Sequence, residues 1–452
     1  MKGKNNLTEG NIVSTLLKLS VPIIATNFIQ TAYGMVDMIW IGRLGSKSVA
    51  AIGTASFFVN LAMALFTIVI IGSGVKIAHS IGAGDSEGAE EYIKSGFIMS
   101  FILAIVYALF ILIFRDRLIG FFELGDPEVE RLAVQYLVIS MVGVLFMCFN
   151  NLYSNIFNSY GNSAIPFRVN SIGLLLNIVL DPILIFGIGF IPPMGVAGAA
   201  IATVFCRLLV LMVFYTSGKR YFKVFGQDIK FNREKAKSVI KMGIPITTQR
   251  VTFIFISIMI AKIIAVWGPT AIAVQKVGLQ IESISYMTIG GLQGAIAAFI
   301  GQNYGAKKFK RIREGYYKSL AMTLAFGATV TAVFLIFPEQ IFKIFLNDKE
   351  SLEIGVYYMR ILGISQAFMC MELLTVGAFN GLGKTYVAPI ISITFTALRI
   401  PIALLLSSED LFKLNGIWMS ISVSSIVKGL LLVSMFLYYL RRNKEKYLLD
   451  LK

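Results

Sequence analysis

Long apolar runs separated by short polar connections dominate this chain. They lie at roughly 14–42, 48–76, 93–114, 132–157, 165–189, 196–217, 238–266, 271–300, 316–337, 353–379, 386–406 and 415–440. Each is long enough to cross a bilayer as a helix. The runs are continuous and do not alternate, which predicts helices rather than barrel strands. Glycine, proline and charge punctuate most gaps. The pattern predicts an all-α membrane protein with about twelve transmembrane helices.

Composition agrees with that reading. Of 452 residues, 56% are hydrophobic and 15% are charged, too few charges to cover a soluble surface of this length. The net charge of +16 would suggest nucleic acid in a soluble chain, but its location says otherwise. Residues 218–241, 302–318 and 441–452 hold 8, 6 and 5 Lys/Arg against 2, 1 and 2 acids. The opposite connections, 115–131, 339–353 and 407–413, hold 3, 2 and 1 against 5, 4 and 2. Basic flanks stay cytoplasmic, so both termini are expected inside a plasma membrane, with no nucleic-acid partner. The inner loop 77–94 is acidic, through Asp85, Glu87, Glu90 and Glu91, but acids count little in this rule. The polar N-terminus shows no cleaved signal pattern. Cys148, Cys206 and Cys370 sit inside apolar runs without CxxC partners, which predicts neither disulfide nor metal.

The chain repeats itself. Leu17-Lys-Leu-Ser-Val-Pro22 resembles Ile240-Lys-Met-Gly-Ile-Pro245 at an offset of 223, where Gly45 also meets Gly268 and Gly82-Ala83 meets Gly305-Ala306. Phe146-Met-Cys148 meets Phe368-Met-Cys370 at 222, as do Asn158 with Asn380 and Gly161 with Gly383, and Pro166 meets Pro389 at 223. Six helices per half predict two pseudo-symmetric lobes related by an axis along the membrane normal. The expected division is 1–217 for the N-lobe, 218–237 for a cytoplasmic linker, 238–440 for the C-lobe and 441–452 for a tail.

Two carboxylates break the apolar pattern: Asp37 on the first helix and Asp181 on the fifth. Intramembrane acids mark ion or substrate pathways. Their repeat partners are Ile260 and Ala403 or Leu404, so the scaffold itself needs no acid there. Gln30, Tyr33 and Asp37 share one helix face, and Asn27 extends it. Asn177 and Asp181 are spaced i, i+4, as are Ala199 and Thr203, and the fourth helix carries Tyr136, Asn150, Asn151 and Asn155. Oxygen donors of this kind suit a hard cation or a proton. Pro22 interrupts the first helix's ladder and predicts a hinge. His79, the one histidine, reads as a polar interfacial residue, and Gly82-Ala-Gly84 as a helix end rather than a phosphate loop. In the second half Glu372 and Arg399 read as an internal ion pair, Lys262 as a snorkelling end residue, and Gln249, Gln275, Gln280 and Glu282 as cavity-lining groups.

Met35-Val-Asp37-Met-Ile-Trp-Ile-Gly42-Arg-Leu-Gly45, Gly82-Ala-Gly-Asp85, Asn177-Ile-Val-Leu-Asp181-Pro, Gly195-Val-Ala-Gly-Ala-Ala-Ile-Ala-Thr203 and Gly301-Gln-Asn-Tyr-Gly305-Ala together resemble the multidrug and toxic compound extrusion (MATE) family, over essentially the whole chain. The resemblance is closest to the archaeal and DNA-damage-inducible branch. It implies a V-shaped pair of six-helix lobes and export of cationic or amphiphilic compounds in exchange for H⁺ or Na⁺. It also implies ion coupling at Asp37, Asn177, Asp181, Thr203 and Ala199, with Na⁺ as one candidate ion. Gln30, Tyr33 and Tyr136 match polar residues of that branch's N-lobe cavity, and Pro22 its bending proline. Gly243-Ile-Pro-Ile-Thr-Thr-Gln249 lacks the glutamate some relatives carry on the seventh helix.

The expected function is therefore a secondary antiporter, not an enzyme. It needs no cofactor beyond its coupling ion, and it is expected to be a monomer in the bilayer acting on small molecules. The alternative from another class is a flippase for lipid-linked precursors. That reading favours cavity arginines, of which Arg399 and Arg250 are the candidates. An intramembrane aspartyl hydrolase is disfavoured, because neither acid lies in a Gly-x-Gly-Asp-type setting.

Overall fold

The computed structural model describes residues 6–189, 191–219, 221–222, 231–346 and 348–442. Residues 223–230 of the expected linker and 443–452 of the expected tail lie outside the described residues. Among the described residues there are fourteen helices: α1 (Ile12–Gly42), α2 (Ser46–Gly82), α3 (Ser86–Gly120), α4 (Pro127–Ser159), α5 (Ala164–Phe186), α6 (Gly195–Gly218) and α7 (Arg233–Ala265), then α8 (Pro269–Gly305), α9 (Phe309–Ile336), α10 (Pro338–Lys343), α11 (Lys349–Gly381), α12 (Val387–Ala397), α13 (Arg399–Leu406) and α14 (Lys413–Arg442). Among the described residues twelve spans are long and apolar enough to cross a membrane, counting α12 and α13 as one. The chain is an all-α, multi-pass membrane protein.

Two details depart from the apolar pattern. The helix expected at 386–406 is broken at Leu398. Pro401 lacks the amide that would reach back to Ala397, and its ring crowds that carbonyl. Pro22, Pro182 and Pro245 sit inside helices that stay continuous. The short α10 lies in a connection that hydrophobicity does not flag; Pro338 at its first position starts it. Among the described residues, α3, α4 and α11 start on side-chain caps, Asp85, Asp126 and Asp348. Asp85 accepts from the Gly88 amide at 2.8 Å, and Asp348 accepts from the Ser351 amide at 2.9 Å.

The chain forms two compact units. One spans Ala25–Gly243, and the other joins Asn6–Ile24 to Ile244 onward. The divisions fall inside α1 and α7, close to Pro22 and Pro245. In the first unit α4 packs on α2, α3 and α6, and α5 packs on α6; in the second α11 is central, against α8, α9 and α14. The faces of α3 that carry Ile105, Val106, Leu109, Phe110 and Ile113 are exposed hydrocarbon, a patch suited to lipid as solvent.

The internal repeat is visible in backbone detail. Gly45 before α2 and Gly268 before α8 both hold positive φ, at 101° and 91°. The end of α5 meets α6 at Gly198, where an added Cβ would lie 2.2 Å from the Leu184 carbonyl oxygen. Gly416 of α14 repeats the contact, 2.1 Å from the Leu406 oxygen. Equating these two glycines superposes the burial of the whole helix: Ala199, Ala200, Ala202, Cys206, Val210 and Phe214 match buried Ile417, Trp418, Ser420, Ser424, Lys428 and Leu432.

In the second unit the segment before α1 is strapped down. Leu7 is 1% exposed and packs with Phe299, Ile312 and Tyr316. Arg311 donates to three carbonyls, Leu7 O at 3.2 Å, Glu9 O at 2.6 Å and Gly10 O at 2.8 Å. Asn303 adds a bond to Leu7 O at 3.1 Å.

Two outcomes are expected. Gly198→Ala forces backbone apart and should lower stability by about 1–3 kcal/mol, whereas Gly34→Ala, with open space around it, should not; thermal unfolding in detergent compares them. Arg311→Ala should cost about 2 kcal/mol of local order and speed hydrogen exchange at the Leu7–Ile12 amides.

Candidate functional site

The first unit gathers the predicted polar residues from α1, α5 and α6. Asp37 of α1 accepts from Thr203 Oγ1 of α6 at 3.3 Å. On α5, Asn177 Nδ2 donates to Asp181 Oδ1 at 2.7 Å, and both residues are fully buried. The Asp37 carboxyl also lies within hydrogen-bonding reach of Asp181 and Asn177. Tyr33 fixes α1 against α5, its hydroxyl donating to Gly173 O at 2.7 Å. Ala199 is buried one turn before Thr203. The i, i+4 spacings read from the sequence thus put these side chains on facing helix surfaces.

What the cluster lacks is donors. Asp37 Oδ1, Asp181 Oδ2 and Asn177 Oδ1 are buried with no hydrogen-bond partner. Three orphaned oxygens in a buried site carry a desolvation cost of about 1–3 kcal/mol each, more when charged. A positive guest removes that cost. The all-oxygen set, completed by the Thr203 hydroxyl, fits a hard cation, and two facing carboxyls also fit a shared proton.

The other predicted residues are spread more widely. Tyr136 is buried on α4, beside Ser140 and Ser56, and acts electrostatically on Asp37. Asn151 donates to Met147 O at 2.8 Å and to the Met63 sulfur at 3.8 Å, and Asn155 packs on Gly74, so both face α2. Asn27 is half-buried and Gln30 exposed on α1. In the second unit Gln249 is half-buried on α7 and Gln280 is exposed on α8. Glu282 is buried and accepts from Tyr358 at 2.6 Å and Gln366 at 3.3 Å. Gln275 takes the Trp418 indole proton at 2.8 Å.

The expected Glu372–Arg399 pair is replaced by other partners. Glu372 pairs with Lys428 of α14 at 3.0 Å and accepts from Ser392 at 3.2 Å. Arg399 donates to Ser424 at 2.8 Å and Ser425 at 3.1 Å. Lys428 lies on α14 one turn beyond Ser424, outside a reading of charges along α11 to α13. A second basic residue also escaped that reading. Arg207 of α6 lies one turn beyond Thr203, its Nη1 near Gly143 of α4, and it acts electrostatically on Asp37, Tyr33 and Tyr136. The Ala199, Thr203 stripe, extended by four residues, would have found it.

The repeat shows what the second unit does with the same space. By the helix match above, Thr203 corresponds to Ile421 and Ala199 to Ile417, while Asp37 and Asp181 correspond to Ile260 and Ala403. Ile260, Ala403 and Ile417 form one apolar cluster, with Ile421 packed against it. Arg399 stands where Asn177 stands, and its buried neighbour Ala403 keeps the i, i+4 register. The acidic site exists once, and its twin is filled with hydrocarbon.

Comparison with known proteins agrees with the architecture. The MatE family model matches residues 22–183 and 245–405, one copy in each half. A probable multidrug resistance protein NorM of Thermotoga maritima is 27% identical over 93% of this chain and 91% of its own length. A FAD transporter of Shewanella oneidensis is 24% identical over 95% of each. Among solved structures, a MATE protein in complex with MaD5 superposes with a TM-score of 0.87 at 25% identity, covering 99% of both chains. With two model copies spanning the paired halves and twelve membrane-length helices arranged as in that structure, the chain belongs to the MatE family, the multidrug and toxic compound extrusion transporters.

Proposed function

We propose that this protein is an antiporter that exports cationic or amphiphilic compounds and takes up H⁺ or Na⁺ at the Asp37–Asp181 site. The observation that carries the reading is the set of three orphaned buried oxygens on Asp37, Asp181 and Asn177. They belong to two helices, α1 and α5, and Thr203 ties in α6. A cation or proton between the carboxyls draws these helices together, and its departure leaves two facing negative groups that push α1 from α5. The ion therefore has different affinity for two packings of one unit, which is the requirement for it to shift a conformational equilibrium. Pro22, where α1 lacks an amide in its ladder, is the proposed hinge for that repacking. The charge bias of the connections supports cytoplasmic termini in the plasma membrane.

Names of relatives support the same direction, since the Thermotoga relative is named for multidrug resistance. A second reading has its own support. Arg207 brings a cation beside Asp37 and Tyr33, and one relative is named a FAD transporter. A phosphate-bearing or zwitterionic substrate would use that guanidinium. The same guanidinium strengthens the flippase alternative over what the sequence alone offered.

Dye uptake into inverted vesicles tests the first reading. Asp37→Asn and Asp181→Asn should each lose roughly tenfold or more of gradient-driven ethidium transport, about 1.4 kcal/mol or more, while Thr203→Val, which removes one neutral bond, should lose severalfold at most. Wild-type transport by both acid variants would refute the site. The second reading predicts that Arg207→Ala spares ethidium and abolishes FAD uptake into the same vesicles. Equal loss or equal retention of both would reject it.

A further inference from the structure

Among the described residues the second unit holds four buried charges that the carboxylate site does not use: Glu282 on α8, Glu372 on α11, Arg399 on α13 and Lys428 on α14. Three have direct partners of a kind that fixes their charge. Glu372 and Lys428 are paired at 3.0 Å, and Arg399 donates to two serine hydroxyls. Glu282 is different. It has only neutral partners, Tyr358 and Gln366, and Arg399 acts on it electrostatically without an ion-pair contact. A carboxyl in such a place is by default functional.

We propose that Glu282, with Gln366 and Tyr358, is a proton-binding site of the second unit, separate from the Asp37–Asp181 site. The hydrogen-bond inventory supports both protonation states. Ionised, the carboxylate accepts from Tyr358 Oη at 2.6 Å through Oε1 and from Gln366 Nε2 at 3.3 Å through Oε2. In that state Gln366 Oε1 is buried with no donor. A half-turn of the amide presents this oxygen to Glu282. A proton added to Oε2 then finds an acceptor, while Tyr358 continues to donate to Oε1. Gln366 therefore serves as acceptor or donor as the carboxyl gains or loses its proton, with no helix displaced.

The guest is a proton rather than a metal ion because of where the hydrogens point. At Glu282 both carboxylate oxygens already face donors, so a metal ion would meet the Tyr358 and Gln366 hydrogens. At Asp37 and Asp181 the reverse holds, with bare oxygens facing each other. The groups that act on Glu282 are Tyr286 on its own helix, Tyr358 and Gln366 on α11 and Arg399 on α13, and Arg399 in turn interacts with Glu372 on α11 and Lys428 on α14. With Glu282 ionised the two acids balance the two bases, and protonation leaves one net positive charge. Loading this site would thus repel a cationic substrate from the second unit, as an exchange requires.

Infrared difference spectroscopy of the purified protein in lipid, comparing acid with neutral pH, reads this directly. Wild type should show protonated-carboxyl C=O stretching components on acidification. Glu282→Gln should remove one of them, and the Asp37→Asn, Asp181→Asn double variant should retain that same component. Tyr358→Phe, which deletes a donor but keeps the acid, should shift its frequency without abolishing it. The proposal is overturned if the Glu282→Gln spectrum superposes on wild type, if Tyr358→Phe leaves every component in place, or if the double variant loses them all. Sodium that erases the component at constant pH would also overturn it, by making the site a metal site.

Discussion

Hydrocarbon offers no hydrogen-bond partners, so each polar group within it must be satisfied by the protein or by a guest. That constraint organises this molecule. Lys428 answers Glu372, Ser424 and Ser425 answer Arg399, and Gly173 answers Tyr33. Asp37 Oδ1, Asp181 Oδ2 and Asn177 Oδ1 are the place in the first unit where three acceptors converge from two helices with nothing to accept. In the proposed exchange the site alternates between holding a positive occupant and having its helices moved apart.

The internal repeat gives this reading a built-in control. The same helix scaffold appears twice, down to the glycines at which neighbouring backbones touch. In the second copy the acids become Ile260 and Ala403, and Thr203 becomes Ile421, so the space is sealed by apolar packing. Packing alone therefore does not demand carboxylates. The second unit keeps its charges elsewhere, largely self-compensated, with Glu282 as the exception. The two halves share a frame and divide its chemistry.

Much of this was legible in the chain itself. Continuous apolar runs gave the helices, a nearly constant offset gave the repeat, and two acids in hydrocarbon-length segments stood out because few mechanisms tolerate them. The misses have physical causes. Six prolines lie within membrane runs, yet only the run holding Pro401 is broken, and the apolar pattern does not say which. The partner of Glu372 depends on helix rotation, so linear charge reading paired it with Arg399 rather than with Lys428. Asn151 and Asn155 sit on the polar fourth helix but turn toward α2, a rotation that spacing on one helix does not fix against its neighbours.

The most direct test of the central claim is calorimetric titration of purified protein with Na⁺ at several pH values, with proton release followed in buffers of different ionisation heat. Wild type should show one saturable event that Asp181→Asn lacks, seen either as Na⁺ binding or as proton uptake, while the proton of the Glu282 site persists in both. Unchanged binding heat and stoichiometry in Asp181→Asn would mean that the facing carboxyls hold no coupling ion, and the account would fail.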